Sequence, residues 1–191
     1  LTLAANAGGL ARIGHTFVGW NTSDDGSGTS HAPESLYTVE DQVQLFAEWS
    51  VNTYTISFDS AGGSAVSAIS QVFGSAVSAP APPSRAGFTF AGWLPELPAT
   101  VPAENITVGA QWTPITYDIV YDANGATTGS IPAPQSKSFG VDLALAENSG
   151  NLALSGAIFI GWNTAPDGSG TSYGTAATYA ADASVTLYAH W

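Results

Sequence analysis

The side chains that could do chemistry in this chain are few, and their spacing suits turns better than sites. Two segments, Asn21–Ser30 (NTSDDGSGTS) and Asn163–Ser172 (NTAPDGSGTS), gather Asn, Asp, Gly and hydroxyl groups as an oxygen-rich cation loop would. Against an EF-type loop, Asn163, Asp167 and Gly168 take the first, fifth and sixth positions. Ala165 stands at the third and Gly174 at the twelfth, so two oxygen ligands are missing. The Asp-Gly and Ser-Gly pairs read as turn signals, and each segment as an added hairpin or loop. The three histidines, His15, His31 and His190, are not repeated at equivalent positions, where Ala157, Tyr173, Gln111 and Glu48 stand instead. Nothing pairs a nucleophile with a base, so no catalytic, cofactor-binding or metal-binding residue is expected and the chain reads as a non-enzyme without a cofactor. Asn21-Thr22-Ser23 and Asn105-Ile106-Thr107 fit the glycosylation sequon, a three-residue pattern whose matches are mostly accidental.

Six tryptophans remain, and they impose order on everything else. FVGW ends at Trp20, FAGW at Trp93 and FIGW at Trp162; LFAEW, VGAQW and LYAHW end at Trp49, Trp112 and Trp191. Two signatures that alternate along the chain mark a tandem array. Trp20 to Trp49 matches Trp162 to Trp191 in length, whereas the middle copy lacks the unit seen at Asn21–Ser30. The array divides into a partial repeat over 1–49, a complete short repeat over 52–112 and a complete long repeat over 115–191. An aromatic platform for sugars is one use of such tryptophans. Their periodicity favours the other, in which all six fill the module cores.

The elements that hold them read as strands. Tyr54, Ile56 and Phe58, and likewise Tyr117, Ile119 and Tyr121, alternate with polar residues before a Gly-Gly or Asn-Gly pair, the pattern of a half-buried strand entering a tight hairpin turn. The closing segments alternate in the same way through Val43, Leu45, Ala47 and Trp49, through Ile106, Val108, Ala110 and Trp112, and through Val185, Leu187, Ala189 and Trp191. Leu1–Trp20 aligns without gaps on Leu143–Trp162, so the first copy starts without its opening strand. The simplest expectation is a segment of a longer array; the alternative is a strand supplied by another chain across an open sheet edge. Ser50–Thr53 and Thr113–Thr116 are the only linkers, short enough to restrict rotation and give a semi-rigid rod.

Composition narrows the function classes. Three basic residues, Arg12, Arg85 and Lys137, face fifteen acidic ones, for a formal net charge of -12. Nucleic acid, which demands clustered Lys and Arg, is not an expected partner, and neither is an anionic membrane surface. No apolar run approaches the roughly 18 to 20 residues of a membrane span. There is no cysteine, which removes disulfides and thiolate chemistry.

The joint pattern of a Tyr-x-Ile/Val strand, a Gly-rich turn, a Pro-rich crossing, Gly-x-x-Phe-x-Gly-Trp and a closing Ala-x-Trp strand resembles the Listeria-Bacteroides repeat, the family of the internalin B B-repeat. The resemblance implies a small β-grasp-like module, a mixed sheet crossed by a short helix or helical turn, in large secreted or wall-anchored bacterial proteins. It attributes no enzymatic activity. The expected fold class is therefore mainly β or α+β, an elongated tandem array of β-grasp-like modules with short helical turns. Family members often carry Lys or Gln before the final Trp; Glu48, Gln111 and His190 stand here, so binding of acidic polymers is not carried over.

These readings combine into a non-enzymatic extracellular array of a bacterial surface or secreted protein: a stalk, adhesin segment or fibre subunit. The expected partners are other repeats of the same protein, including in a homopolymeric filament. The alternative is an adhesin module contacting glycan or protein through loops and exposed aromatics such as Tyr173 and Tyr179. Phe46 and Tyr188, on the polar parity of their strands, are its best contact candidates.

Overall fold

A computed structural model describes all 191 residues, Leu1–Trp191. The chain is built from strands alone. In the first repeat, β1 (His15–Asn21), β2 (Ser30–His31) and β3 (Phe46–Val51) form an antiparallel sheet in the order β2-β1-β3. The second contains β4 (Thr53–Asp59), β5 (Ile69–Val72), β6 (Phe88–Leu94) and β7 (Ile106–Pro114) in the order β5-β4-β7-β6. The third contains β8 (Thr116–Asp122), β9 (Gln135–Ser138), β10 (Leu143–Ala144), β11 (Gly161–Asn163), β12 (Ser172–Tyr173), β13 (Thr178–Tyr179) and β14 (Val185–His190). Its main sheet runs β12-β11-β14-β8-β9, with β10 and β13 paired beside it.

The opening and closing strands of a complete repeat lie side by side and parallel. Ile56 pairs with Ile106 and Phe58 with Val108 in the second; Ile119 pairs with Val185 and Tyr121 with Leu187 in the third. The alternation in sequence becomes alternation of faces. Along β14, Leu187 and Ala189 are buried and Thr186 is exposed; along β7, Val108 and Ala110 are buried and Thr107 and Gln111 exposed. In the third repeat Ile119, Tyr121, Leu145, Leu152, Trp162, Tyr179, Leu187 and Ala189 form one buried cluster.

The mainly β expectation stands, and its helical component is corrected: no residue is helical. The crossing segments run extended and spend their backbone groups on strand-like bonds. Thr2 bridges Leu36, Ala76 bridges Thr100 and Ala144 pairs with Thr178, at matching places in the three repeats. In the second repeat Pro80, Pro82 and Pro83 lack the N–H donors that a helix interior needs. In the third, the Asn148 side chain accepts from the Leu152 N–H (2.7 Å) and donates to the Leu152 carbonyl (3.0 Å), an arrangement repeated by Asn6 and Leu10. These asparagines supply locally what a helical ladder would otherwise supply.

Turns follow the opening strands, with positive φ at Ala61 and Gly62 and at Asn124 and Gly125, but they do not close the tight hairpins expected from the Gly-Gly and Asn-Gly pairs. The strand that follows does not resume at once, because β5 starts at Ile69 and β9 at Gln135. No helix is long and apolar enough to cross a membrane. By contact density the chain divides into two compact units, Leu1–Pro83 with Ala91–Gln111, and Ser84–Phe90 with Trp112–Trp191.

Candidate functional site: a joint built twice

The segments read from sequence as linkers are strand. β3 runs to Val51 and β4 begins at Thr53, leaving Asn52 between them; β7 runs to Pro114 and β8 begins at Thr116, leaving Ile115. Beyond its last tryptophan, the closing strand pairs back onto the Gly-x-x-Phe segment of its own repeat. Val51 and Ser50 face His15 and Thr16.

Around that extension the next repeat is fastened in the same way at both places. At the first, the Asn52 N–H donates to the Gly14 carbonyl (2.8 Å) and the Phe73 N–H donates to the Asn52 carbonyl (2.8 Å). At the second, the Ile115 N–H donates to Gly87 (2.9 Å) and the Phe139 N–H to Ile115 (2.8 Å). Each phenylalanine ring then covers the glycine. A Cβ built on Gly14 would lie 2.2 Å from the Phe73 ring, and one on Gly87 2.2 Å from the Phe139 ring. Both glycines also hold positive φ, +71° and +79°, so they are required by conformation and by space. The ring is edge-on to the residue after the glycine: Phe73 to His15 at 6.0 Å, Phe139 to Phe88 at 5.6 Å. Arg85 adds a guanidinium 4.0 Å from the Phe88 ring centroid at the second joint. Each joint lies inside one compact unit.

The phenylalanine at the second joint is anchored by an ion pair the sequence did not advertise. Lys137, two residues before it, is fully buried and its ammonium meets Asp182 Oδ1 at 2.5 Å. The same oxygen accepts from the Gly140 N–H at 3.0 Å. The Lys137 hydrogen bond first, and then that backbone donor, hold the Asp182 carboxyl below its ordinary range. Lys137 and Asp182 stand 45 residues apart in sequence, and only the fold brings them together.

The tryptophans occupy a second recurring arrangement. Trp162 is 0% exposed, and Trp20, Trp49, Trp93, Trp112 and Trp191 are half-buried. The Phe of Gly-x-x-Phe-x-Gly-Trp stands edge-on between two tryptophans, with Phe17 5.3 Å from Trp20 and 5.7 Å from Trp49, and Phe159 5.2 Å from Trp162 and 5.8 Å from Trp191. The indole N–H of Trp162 donates to the Ala146 carbonyl (2.8 Å), and that of Trp20 to Ala4 (2.7 Å), at equivalent positions. Phe46 and Tyr188, the contact candidates, are both half-buried, facing Asn21 and Asn163 across their sheets. Tyr173 is half-buried and Tyr179 buried, so neither presents a free ring.

The NTxxDGSGT segments are the hairpins joining β1 to β2 and β11 to β12. Their asparagines are 1% exposed. Asn163 Oδ1 accepts from the Ala165 (2.8 Å) and Gly170 (3.1 Å) N–H groups, and its Nδ2 donates to Ser172 Oγ (2.8 Å). The first oxygen of the cation-loop pattern is thus committed to the turn's own backbone. Asp25 accepts from the Ser27 hydroxyl and N–H and the Ser23 hydroxyl, which lower its pKa to about 2. Asn21, the first sequon asparagine, is buried within this hairpin. Asn105 is exposed, its Oδ1 accepting from the Thr55 N–H. His15 lies at the first joint, whereas His31 stacks edge-on with Tyr37 and His190 lies near Ser172. The structure does not bring the three together.

Comparison with known proteins agrees with the repeated geometry. A membrane protein of Evansella cellulosilytica, so named, is 35% identical over 187 residues, covering 93% of this chain and 28% of its own length. A second protein of that organism, named as a Gly-rich membrane protein, is 34% identical over 62% of the chain and 15% of its own length. Internalin H of Listeria monocytogenes is 29% identical over 52% of the chain and 19% of its own length. The chain therefore spans less than a third of each of these relatives. No solved structure matches it. The Listeria-Bacteroides repeat domain matches residues 2–48, 54–111 and 117–190. With that match covering nearly the whole chain, and the same joint and aromatic arrangement recurring along it, the chain belongs to the Listeria-Bacteroides repeat domain family, present here in three consecutive copies.

Proposed function

We propose that this chain is a non-enzymatic structural segment of a bacterial cell-surface or secreted protein, serving as a stalk that acts by length and stiffness. The observation that carries this reading is the joint, built from the same bonds at Gly14, Asn52 and Phe73 as at Gly87, Ile115 and Phe139. A flexible tether would leave the linker solvated, with no reason to repeat its hydrogen bonds. Here the linker is sheet, and the ring of the next repeat closes over a glycine that tolerates no side chain. The names of the relatives, membrane proteins and an internalin, support placement at the surface. We read each module as a β-grasp-like sheet whose helix is replaced by an extended crossing, with the opening and closing strands parallel at its centre.

The contact reading, in which Phe46 and Tyr188 touch a glycan or protein, is the weaker one because both rings are half-buried. A role as an adhesin segment or filament subunit would use the same joint between repeats. The test of the stalk reading is small-angle scattering of the intact chain and of a Phe73→Ala, Phe139→Ala variant. The expected outcome is a loss of rigidity in the variant while module folding, followed by circular dichroism, is retained. Equal rigidity in both would remove the joint as the source of stiffness.

A further inference from the structure

The turn that follows the opening strand differs between the two complete repeats in one side chain. Asp59 Oδ1 accepts from the Ala61 N–H (2.9 Å) and Asp122 Oδ1 from the Asn124 N–H (2.8 Å), so Asn124 stands where the second repeat has Ala61. Both residues hold positive φ, +46° and +44°, and the backbone of the turn is shared. In the third repeat Asn124 Nδ2 donates to the Pro166 carbonyl (2.8 Å) and to the Ala189 carbonyl (2.9 Å), and the Asn124 carbonyl accepts from the Trp191 indole N–H (2.9 Å). Pro166 lies in the hairpin joining β11 to β12 and Ala189 lies in β14, so one side chain ties the turn to both. The second repeat lacks that hairpin, and Ala61 offers no such donor.

Both partners of the side chain are carbonyl oxygens, which only accept. The amide nitrogen must therefore face them, and an oxygen in its place would leave both without a donor. The same asparagine is open to reaction. It is the one asparagine of the chain followed by glycine, and Gly125 is exposed to solvent. With no Cβ at Gly125, nothing on that residue obstructs the approach of its backbone nitrogen to the Asn124 side chain. Asn148, followed by Ser149, contrasts with it: its Oδ1 accepts from the Leu152 N–H and its Nδ2 donates to the Leu152 carbonyl, which holds the side chain at both ends.

We propose that Asn124-Gly125 is a modification site, at which reaction with water alone converts the asparagine to an acid and unfastens the hairpin from the closing strand. The Gly125 amide nitrogen gives up its proton and attacks Asn124 Cγ. The new N–Cγ bond closes a succinimide ring, and the Cγ–Nδ2 bond breaks as the nitrogen leaves with that proton as ammonia. Water then adds to one of the two ring carbonyls and breaks its bond to the ring nitrogen, which takes back a proton. Opening at Cγ gives aspartate; opening at the backbone carbonyl gives isoaspartate, with the chain rerouted through the side chain. Aspartate turns only oxygen towards the Pro166 and Ala189 carbonyls, and isoaspartate also lengthens the turn by one backbone atom. The second repeat, with Ala61, is immune to this reaction. The proposal is independent of whether the array is stiff.

The experiment holds the full chain, folded, in mildly alkaline buffer and follows every asparagine by peptide mass mapping, with isoaspartate distinguished by its fragments. Hydrogen exchange at residues 164–171 is read on the same samples. The expected result is conversion at Asn124 several times faster than at Asn148, with roughly fivefold faster exchange in the hairpin of the converted chains, as the loss of one tie implies. Asn124→Asp shows the faster exchange from the outset. Asn124→Ala, which copies the second repeat, also starts loosened and changes no further during the incubation. Conversion of another asparagine ahead of Asn124 overturns the proposal. So does a converted chain whose hairpin exchanges as the parent's does, or an Asn124→Ala chain that loosens with time as the parent does.

Discussion

Replacing Trp162 by Ala removes a fully buried indole and leaves the Ala146 carbonyl without its donor. The expected cost is about 3–5 kcal/mol to the third module, read by chemical denaturation. Trp20→Ala should cost clearly less, because Trp20 is half-buried where Trp162 is fully buried; equal costs would contradict that difference in packing. Asn163→Ala strips the Ala165 and Gly170 N–H groups of their acceptor, and about 1–3 kcal/mol is expected for a buried donor left unpaired. Calcium titration followed by amide shifts should leave Ala165 and Gly170 unmoved, since Asn163 Oδ1 already serves them. The hairpin was readable from Asp-Gly and Ser-Gly. The role of the asparagine was not, because nothing in a sequence says that an Asn side chain is turned inward onto its own loop.

The strands and their inward faces were legible because alternation at period two leaves a direct trace, as in Val185, Leu187 and Ala189. The crossing segments left no such trace. A helix was expected there through family resemblance, while the residues themselves, Pro80, Pro82 and Pro83 above all, favour extended chain. The pairing of Lys137 with Asp182 was equally hidden, since two elements far apart in sequence must first be folded together. It makes a prediction about acid. The folded pKa of Asp182 lies below its unfolded value, so the stabilisation is present above the unfolded value, near 3.8, and is lost as pH falls through the lower, folded one. The third module's melting temperature should fall across that acid range, and Asp182→Asn should remove that part of the dependence. The same substitution should lower stability by several degrees at neutral pH, because it leaves the Lys137 ammonium buried without a counter-charge. An unchanged melting curve at neutral pH would show that the pair does not anchor β9 and Phe139.

For the molecule as a whole, the repeat count and the short linkers were evident from the tryptophan signatures, whereas the joint was not. Gly14, Gly87 and Gly156 align in sequence, and Phe73 aligns with Phe139, but which ring covers which glycine depends on the linker being strand. Gly156 has the same positive φ, +77°, and open space where the other two meet a ring. Appending a further copy of residues 113–191 after Trp191 should bring its Phe139 onto Gly156 and raise the melting temperature of the third module. Phe139→Ser confined to the appended copy should erase that gain. The central claim, that a phenylalanine closing over a glycine fastens the second repeat to the first within one compact unit, is tested most directly by electron-spin distance measurement across that joint. The chain has no cysteine, so labels at Ala7→Cys in the first repeat and Ala65→Cys in the second, both exposed and in the same compact unit, are unambiguous. One narrow distance distribution that broadens on Phe73→Ala is predicted. A broad distribution in the parent chain, or no change on removing the ring, would contradict the account.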